Sequence, residues 1–200
     1  MTNTARLTDA DGTGRNVSRQ RFLNAVVYFA TNTNYCGKIK LFKLLYLLDF
    51  QHFRETGQSV TGFDYWAWEL GPVPVVLMDE WENPKPDFNQ VVEIVPEQVI
   101  TYRRETVRPK VEFDADEFTP RQIRIMESLA TEYKETKSPK MIDVVHAENG
   151  AWAKVWKGGS GARNPIPYEL SLDDAAPNKE AALERQKEDR QRLAALRSVG

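Results

Sequence analysis

Residues that carry most nucleophilic and metal chemistry are scarce in this chain: among 200 residues there is one cysteine, Cys36, and two histidines, His52 and His146. A single thiol closes no internal disulfide and suits a reducing compartment. No cysteine pair exists, and neither histidine has a Cys or His partner at ligand spacing, so the sequence gives little support to a structural zinc site. Charge of one sign is lacking too, with 27 Lys and Arg against 29 Asp and Glu for a net −2. That balance lacks the cationic excess of a protein that grips nucleic acid through its phosphates. Long apolar runs are missing: the densest, Leu41 to Phe53, is broken by Lys43, Asp49 and His52 and is too short to span a bilayer. Residues 1–16 have no apolar core, so no secretory signal is expected, and the cytoplasm follows by exclusion. There is no phosphate loop, nucleophile elbow or dinucleotide fingerprint.

What remains is a globular composition, 41% hydrophobic and 28% charged, on a chain long enough for one core plus an appendage. The expected class is α+β and predominantly helical, a compact helical domain with a small antiparallel sheet and a charged C-terminal helix. Residues 1–17 read as a polar arm, 18–170 as the folded domain and 171–200 as the tail. Phe22, Val26, Phe29 and Ala30 recur at helical spacing behind an N-cap at Ser18, predicting a helix to Thr33. A second helix spans Lys38 to Thr56. Its apolar residues cover most of the circumference, so it should be central, with Lys40, Lys43, Gln51 and Arg54 as a narrow wet edge.

Thr61 to Leu70 alternates like a strand that Gly71-Pro72-Val73-Pro74 should break, before a short helix from Val75 to Trp81. Strands are expected at Val91–Val95 and Val99–Phe113, with a turn at Pro96-Glu97-Gln98 between them and Pro109 confining the second to an edge or end. Thr119-Pro120 and Ser138-Pro139 each open a helix. Ala151 to Lys157 forms another, pairing Trp152 with Trp156 at i, i+4. From Asn178 to Arg197 a charged helix carries only Leu183, Leu193 and Leu196 as a thin apolar seam. Such a helix is marginal alone and orders by packing.

The chemical candidates are weak. Cys36 precedes a helix, and Lys38 and Lys40 nearby would lower its pKa. His52 would lie roughly 24 Å away along that helix, out of reach as a base, so a plain buried thiol is the better reading. Asp49 and His52 at i, i+3 make only half a metal site, and Asp49 is better read as a carboxylate satisfied by nearby donors. Arg103, Arg104, Arg108 and Lys110 alternate faces and are interleaved with Glu105 and Glu112, which favours a charged edge strand over a nucleic-acid surface. Of Trp66, Trp68, Trp81, Trp152 and Trp156, most should fill the core. Trp66 or Trp68, beside the Gly-Pro turn, is placed to be a surface anchor.

Lys38 to Trp81 carries K-L-x-K-L-L-Y-x-x-D-F (Lys40, Leu41, Lys43, Leu44, Leu45, Tyr46, Asp49, Phe50). It continues with T-G-x-x-V-T-G (Thr56, Gly57, Val60, Thr61, Gly62), an aromatic strand, and G-P-V (Gly71, Pro72, Val73). This stretch, about a fifth of the chain, resembles the Panacea domain family of SocA-like antitoxins. Phe42 departs from the family in a slot often filled by a polar residue. His146-Ala-Glu-Asn-Gly-Ala-Trp152 is similar to the family's closing T/S-H-x-E-x-A-W signature with an insertion, while the charged tail matches no part of it.

The resemblance implies a mostly helical domain with a small sheet, encoded beside a toxin gene and neutralising that toxin by protein contact, either as a plug or as an adaptor handing it to a cellular protease. It implies no enzyme activity and no cofactor. The expected contact residues are Tyr46, Asp49, Trp66, Trp68, Glu69, Pro72 and Val73, with Leu193 and Leu196 of the tail. Self-association is left open, and no membrane partner is expected. The rival readings are a hydrolase or nuclease using Cys36 or a metal at Asp49, and a DNA-binding autorepressor using the Arg103–Lys110 strand.

Overall fold

The computed structural model describes residues 15–99, 102–147, 150–174, 176–177 and 179–198. Among them lie eight α-helices and two separate two-stranded antiparallel sheets, a predominantly helical α+β fold. Most of the expected N-terminal arm, residues 1–14, is outside the described residues. Helix α1 (Arg15–Asn32) begins before Ser18 and buries Phe22, Leu23, Val26, Val27 and Phe29.

Helix α2 (Lys38–Thr56) is the central element, buried without interruption from Lys40 to Phe50. Lys40 and Lys43 are therefore not part of a wet edge; both are buried, and only Gln51 and Arg54 keep to the outer side. The helix period places a side chain on a face but does not say where a long aliphatic stem takes its charge. Lys40 Nζ donates to the carbonyls of Asn34 at 2.7 Å, Tyr133 at 2.6 Å and Lys134 at 3.1 Å. It thus caps the end of a neighbouring helix with a cation, where the helix dipole favours one. Gly57 ends α2 at φ 78 and hydrogen-bonds Phe53 O at 2.7 Å, and a β-carbon there would strike the Ala182 backbone.

Strands β1 (Tyr65–Trp68) and β2 (Gly71–Pro74) form a hairpin, so Gly71-Pro72-Val73-Pro74 is a strand and not merely a break. Helix α3 (Val75–Glu82) follows, and Pro86–Val91 forms a further short helix, α4. Arg19 of α1 ties both down through Glu80 and Asp87. The second hairpin pairs β3 (Val92–Val99) with β4 (Tyr102–Pro109), and Pro96-Glu97-Gln98 lies inside β3 instead of turning.

One rule accounts for both corrections. Ala67, opposite Pro72, sends its N–H away from the hairpin to Asn164 O at 2.9 Å, and Val107 sends its N–H to Cys36 O at 2.8 Å. Pro72, Pro74, Pro96 and Pro109 all occupy this outward-facing parity, where the ladder loses no donor.

Helix α5 (Pro120–Glu132) starts with a capping box between Thr119 and Gln122 and packs Ile125, Met126 and Leu129 inward. Helices α6 (Ser138–Ala147) and α7 (Ala151–Trp156) follow. Helix α8 (Lys179–Ser198) closes the described chain. It is anchored by buried Ala182 against Phe53 and Leu172, whereas Leu183, expected in its seam, is exposed. Leu193 and Leu196 fall outside the described side chains.

Candidate functional site

The motifs separated in sequence meet at the β1–β2 hairpin. Trp68 pairs with Gly71, leaving Glu69 and Leu70 as the turn. Gly71 sits at φ +98, and a β-carbon there would lie 2.9 Å from Lys43 Cε and Nζ and from Val145 Cγ2. Glycine is needed on both counts. Beneath it, Lys43 Nζ donates to Pro72 O at 2.9 Å. Burial pulls this ammonium's pKa down to about 7, because the charged form loses its water.

Beside the hairpin, His146, Trp152 and Trp156 form one stack, with centroid separations of 4.1 Å and 5.6 Å. Trp152 Nε1 donates to Trp68 O at 3.0 Å, and the Trp152 backbone N–H donates to the Tyr46 hydroxyl at 3.2 Å. The stack is thereby pinned to both β1 and α2. The imidazole of His146 titrates below its ordinary range, first because its stacked face loses water and next because of the Lys43 charge. On the outer side Arg163 lies 4.7 Å from the Trp68 ring centroid, a cation–π contact that stiffens an already half-buried indole.

Asp49 orders the approach to the hairpin. Its Oδ1 accepts from the backbone N–H groups of Val60 and Thr61, each at 2.8 Å. Its Oδ2 accepts from Thr61 Oγ1 at 2.5 Å and Tyr65 OH at 2.8 Å. Burial raises its pKa, and these donors act against that rise. With both oxygens doubly occupied, the carboxylate has no lone pair for a metal.

The structure divides the expected contact residues. Trp66 and Trp68 are half-buried and Glu69 is exposed, all on one short ribbon. Pro72 and Val73, on the second strand of that ribbon, are buried, Val73 directly opposite Trp66. Tyr46 and Asp49 are interior, Asp49 at 0% exposure, and have no free surface to give a partner; they hold the hairpin from below. Leu70, 52% exposed at the turn, His146 and Arg163 belong to the same face. Of these, His146 stands in the family-like closing signature, while Leu70 reads in sequence as the end of the Thr61–Leu70 strand and Arg163 carries no signal.

Cys36 is buried and its thiol is pushed up to about 11 by burial, against the smaller opposing effects of Thr33 and Lys40. The neighbouring lysines do not activate it, since desolvation outweighs their charge. Among the described residues, no three His, Cys, Asp or Glu side chains gather to hold a metal, and no helix is long and apolar enough to cross a membrane. A cleft of about 570 Å3 runs along the outer side of α2, with Leu47 and Phe50 as floor and Arg54, Glu132 and Lys154 on its rim. Of the basic strand residues, Arg104 and Arg108 both pair with Glu97.

Residues 41–153 match the sequence model of the family described as antitoxin SocA-like, Panacea domain. No curated protein and no solved structure matches the chain.

Proposed function

This chain belongs to the SocA-like Panacea antitoxin family, and from that premise we propose that it neutralises a cognate protein toxin by direct binding, with the β1–β2 hairpin as principal contact. The observation that carries the assignment of the surface is the exposed Glu69-Leu70 turn flanked by half-buried Trp66 and Trp68 on a ribbon fixed from behind. Aromatic anchors on a rigid support are what dominates a protein interface, because they lose little entropy on binding. An interface of roughly 1,600 Å2 in total is the expected scale. Pro72, Val73, Tyr46 and Asp49 serve it by positioning the ribbon. Helix α8, through Leu193 and Leu196, is proposed as a second contact.

Neutralisation needs no chemistry from this chain. The protonated Cys36 and the saturated Asp49 support a role in contact over either enzymatic reading. The pairing of Arg104 and Arg108 with Glu97 supports the same preference over DNA binding.

The test is to co-express the chain with the protein encoded beside it, ask whether the two elute together, and score rescue of growth. Separate elution and no rescue would overturn the reading. The same elution gives stoichiometry and any self-association. An adaptor lowers the toxin's level in cells with an intact protease, whereas a plug preserves it.

A further inference from the structure

Tyr35 stands in the turn between α1 and α2 at φ 57, the left-handed region. A residue with a β-carbon is strained there, and glycine or asparagine is the ordinary occupant. Packing does not account for the tyrosine, because it is 41% exposed. The conformation is imposed from several sides. Asn34 N donates to Lys134 O at 2.8 Å and Val107 N donates to Cys36 O at 2.8 Å. Lys40 adds its bond to Asn34 O at 2.7 Å. Strain maintained by such a frame and spent on presenting an exposed ring points to a use for that ring.

Two cations attend it. The Arg104 guanidinium carbon lies 5.7 Å and the Lys137 ammonium 5.3 Å from the Tyr35 centroid. Arg104 is shared with Glu97, but Lys137 makes no ion pair among the described residues. Glu135, the nearest acidic residue in sequence, is engaged by the Asn34 amide at 2.6 Å, and Glu105 by Trp81 Nε1 at 2.7 Å. Both cations lie over the ring within cation–π reach, so the exposed tyrosine offers a carboxylate positive charge beside an aromatic surface.

We propose that Tyr35, Arg104 and Lys137 form a further contact site, distinct from the hairpin and from helix α8, for an acidic segment of the cognate toxin. The site rests on the antitoxin reading. A protein carboxylate is favoured over a nucleic-acid phosphate because the chain as a whole is net −2 and a phosphate backbone calls for several unpaired cations in a row.

The experiment uses the full chain and the neighbour-encoded toxin. Tyr35→Gly and Tyr35→Asn relax the backbone, so their unfolding temperature should equal or exceed that of the wild type, while toxin affinity falls at least about tenfold, the effect of losing an interface anchor. Lys137→Glu should weaken binding at low salt, and the loss should shrink as salt is added. Toxin affinity within twofold of wild type for Tyr35→Gly overturns the site and leaves the antitoxin reading intact. Failure of the wild type to bind overturns both. A lowered unfolding temperature in both Tyr35 variants, or loss of binding to duplex DNA with toxin binding unchanged, also overturns it.

Discussion

The ammonium of Lys43 lies 2.9 Å from the carbonyl oxygen of Pro72, buried under the hairpin and without an ion pair among the described residues. A lone buried cation is an expensive way to hold one carbonyl. Its position between α2, Gly71 and Val145 makes it the pin that sets the height of the hairpin over the central helix.

Its titration should be visible in stability. A base whose pKa falls on folding, here from 10.5 to about 7, binds fewer protons folded than unfolded between those values. Stability therefore rises with pH across that window and is lowest below it. His52 and His146, both lowered from 6.5, have completed their contribution by about pH 7.5. Cys36, raised from 9.0 to about 11, acts in the opposite sense from about pH 8 upward and takes only a small part off the gain below about pH 9. Between pH 7 and 9 the wild type should gain about 2 kcal/mol, read as a rise in the urea midpoint, and Lys43→Met should flatten that slope. An equal slope in the variant would show that another group titrates.

Asp49→Ala should destabilise the fold by at least about 3 kcal/mol, because it strands the Val60 and Thr61 amides and the Thr61 and Tyr65 hydroxyls. Denaturant unfolding measures it. An unfolding midpoint close to wild type would mean that these donors find other partners and that Asp49 is free for a different role.

Local chemistry made much of this legible in sequence. The bounds of α2 follow from its apolar residues and Gly57, and the start of α5 from Thr119-Pro120, because each signal acts within a few residues of itself. The hairpins were harder. Proline announces a lost donor, but whether that donor would have faced the partner strand depends on register, and register is set by residues elsewhere. The alternation along β1 correctly separated Tyr65 and Ala67 from Trp66 and Trp68. The other members of that face, His146, Trp152 and Arg163, arrive from distant elements through contacts that no sequence period encodes.

Cys36 should be silent to a thiol reagent at neutral pH in the folded protein and react once unfolded, since the thiolate is the nucleophile and burial holds the group protonated. Time-resolved labelling checks this. Fast native labelling would mean that the α1–α2 turn opens readily.

The tail divides at its first turn. Removing residues 178–200 takes Ala182 off Phe53 and Leu172 and should cost roughly 1 kcal/mol. Removing only residues 187–200 should leave thermal unfolding unchanged, while both deletions weaken toxin neutralisation. Full protection by both truncations would take α8 out of the grip.

Leu70→Asp separates contact from folding most cleanly. At 52% exposure the side chain contributes little to the core, so the unfolding midpoint should stay within about 0.5 kcal/mol of wild type. If the hairpin turn enters the toxin, a carboxylate there is desolvated without a partner, and affinity should fall at least tenfold, about 1.4 kcal/mol or more. Trp68→Ala should show the same loss with some destabilisation, since the indole carries Arg163 and packs against the core. Val73→Ala, buried on the second strand opposite Trp66, should reverse the order, costing mainly stability. The comparison of the three by calorimetric titration and denaturant unfolding decides the matter: equal binding by Leu70→Asp and wild type would move the toxin to another face, whatever the fate of the other two.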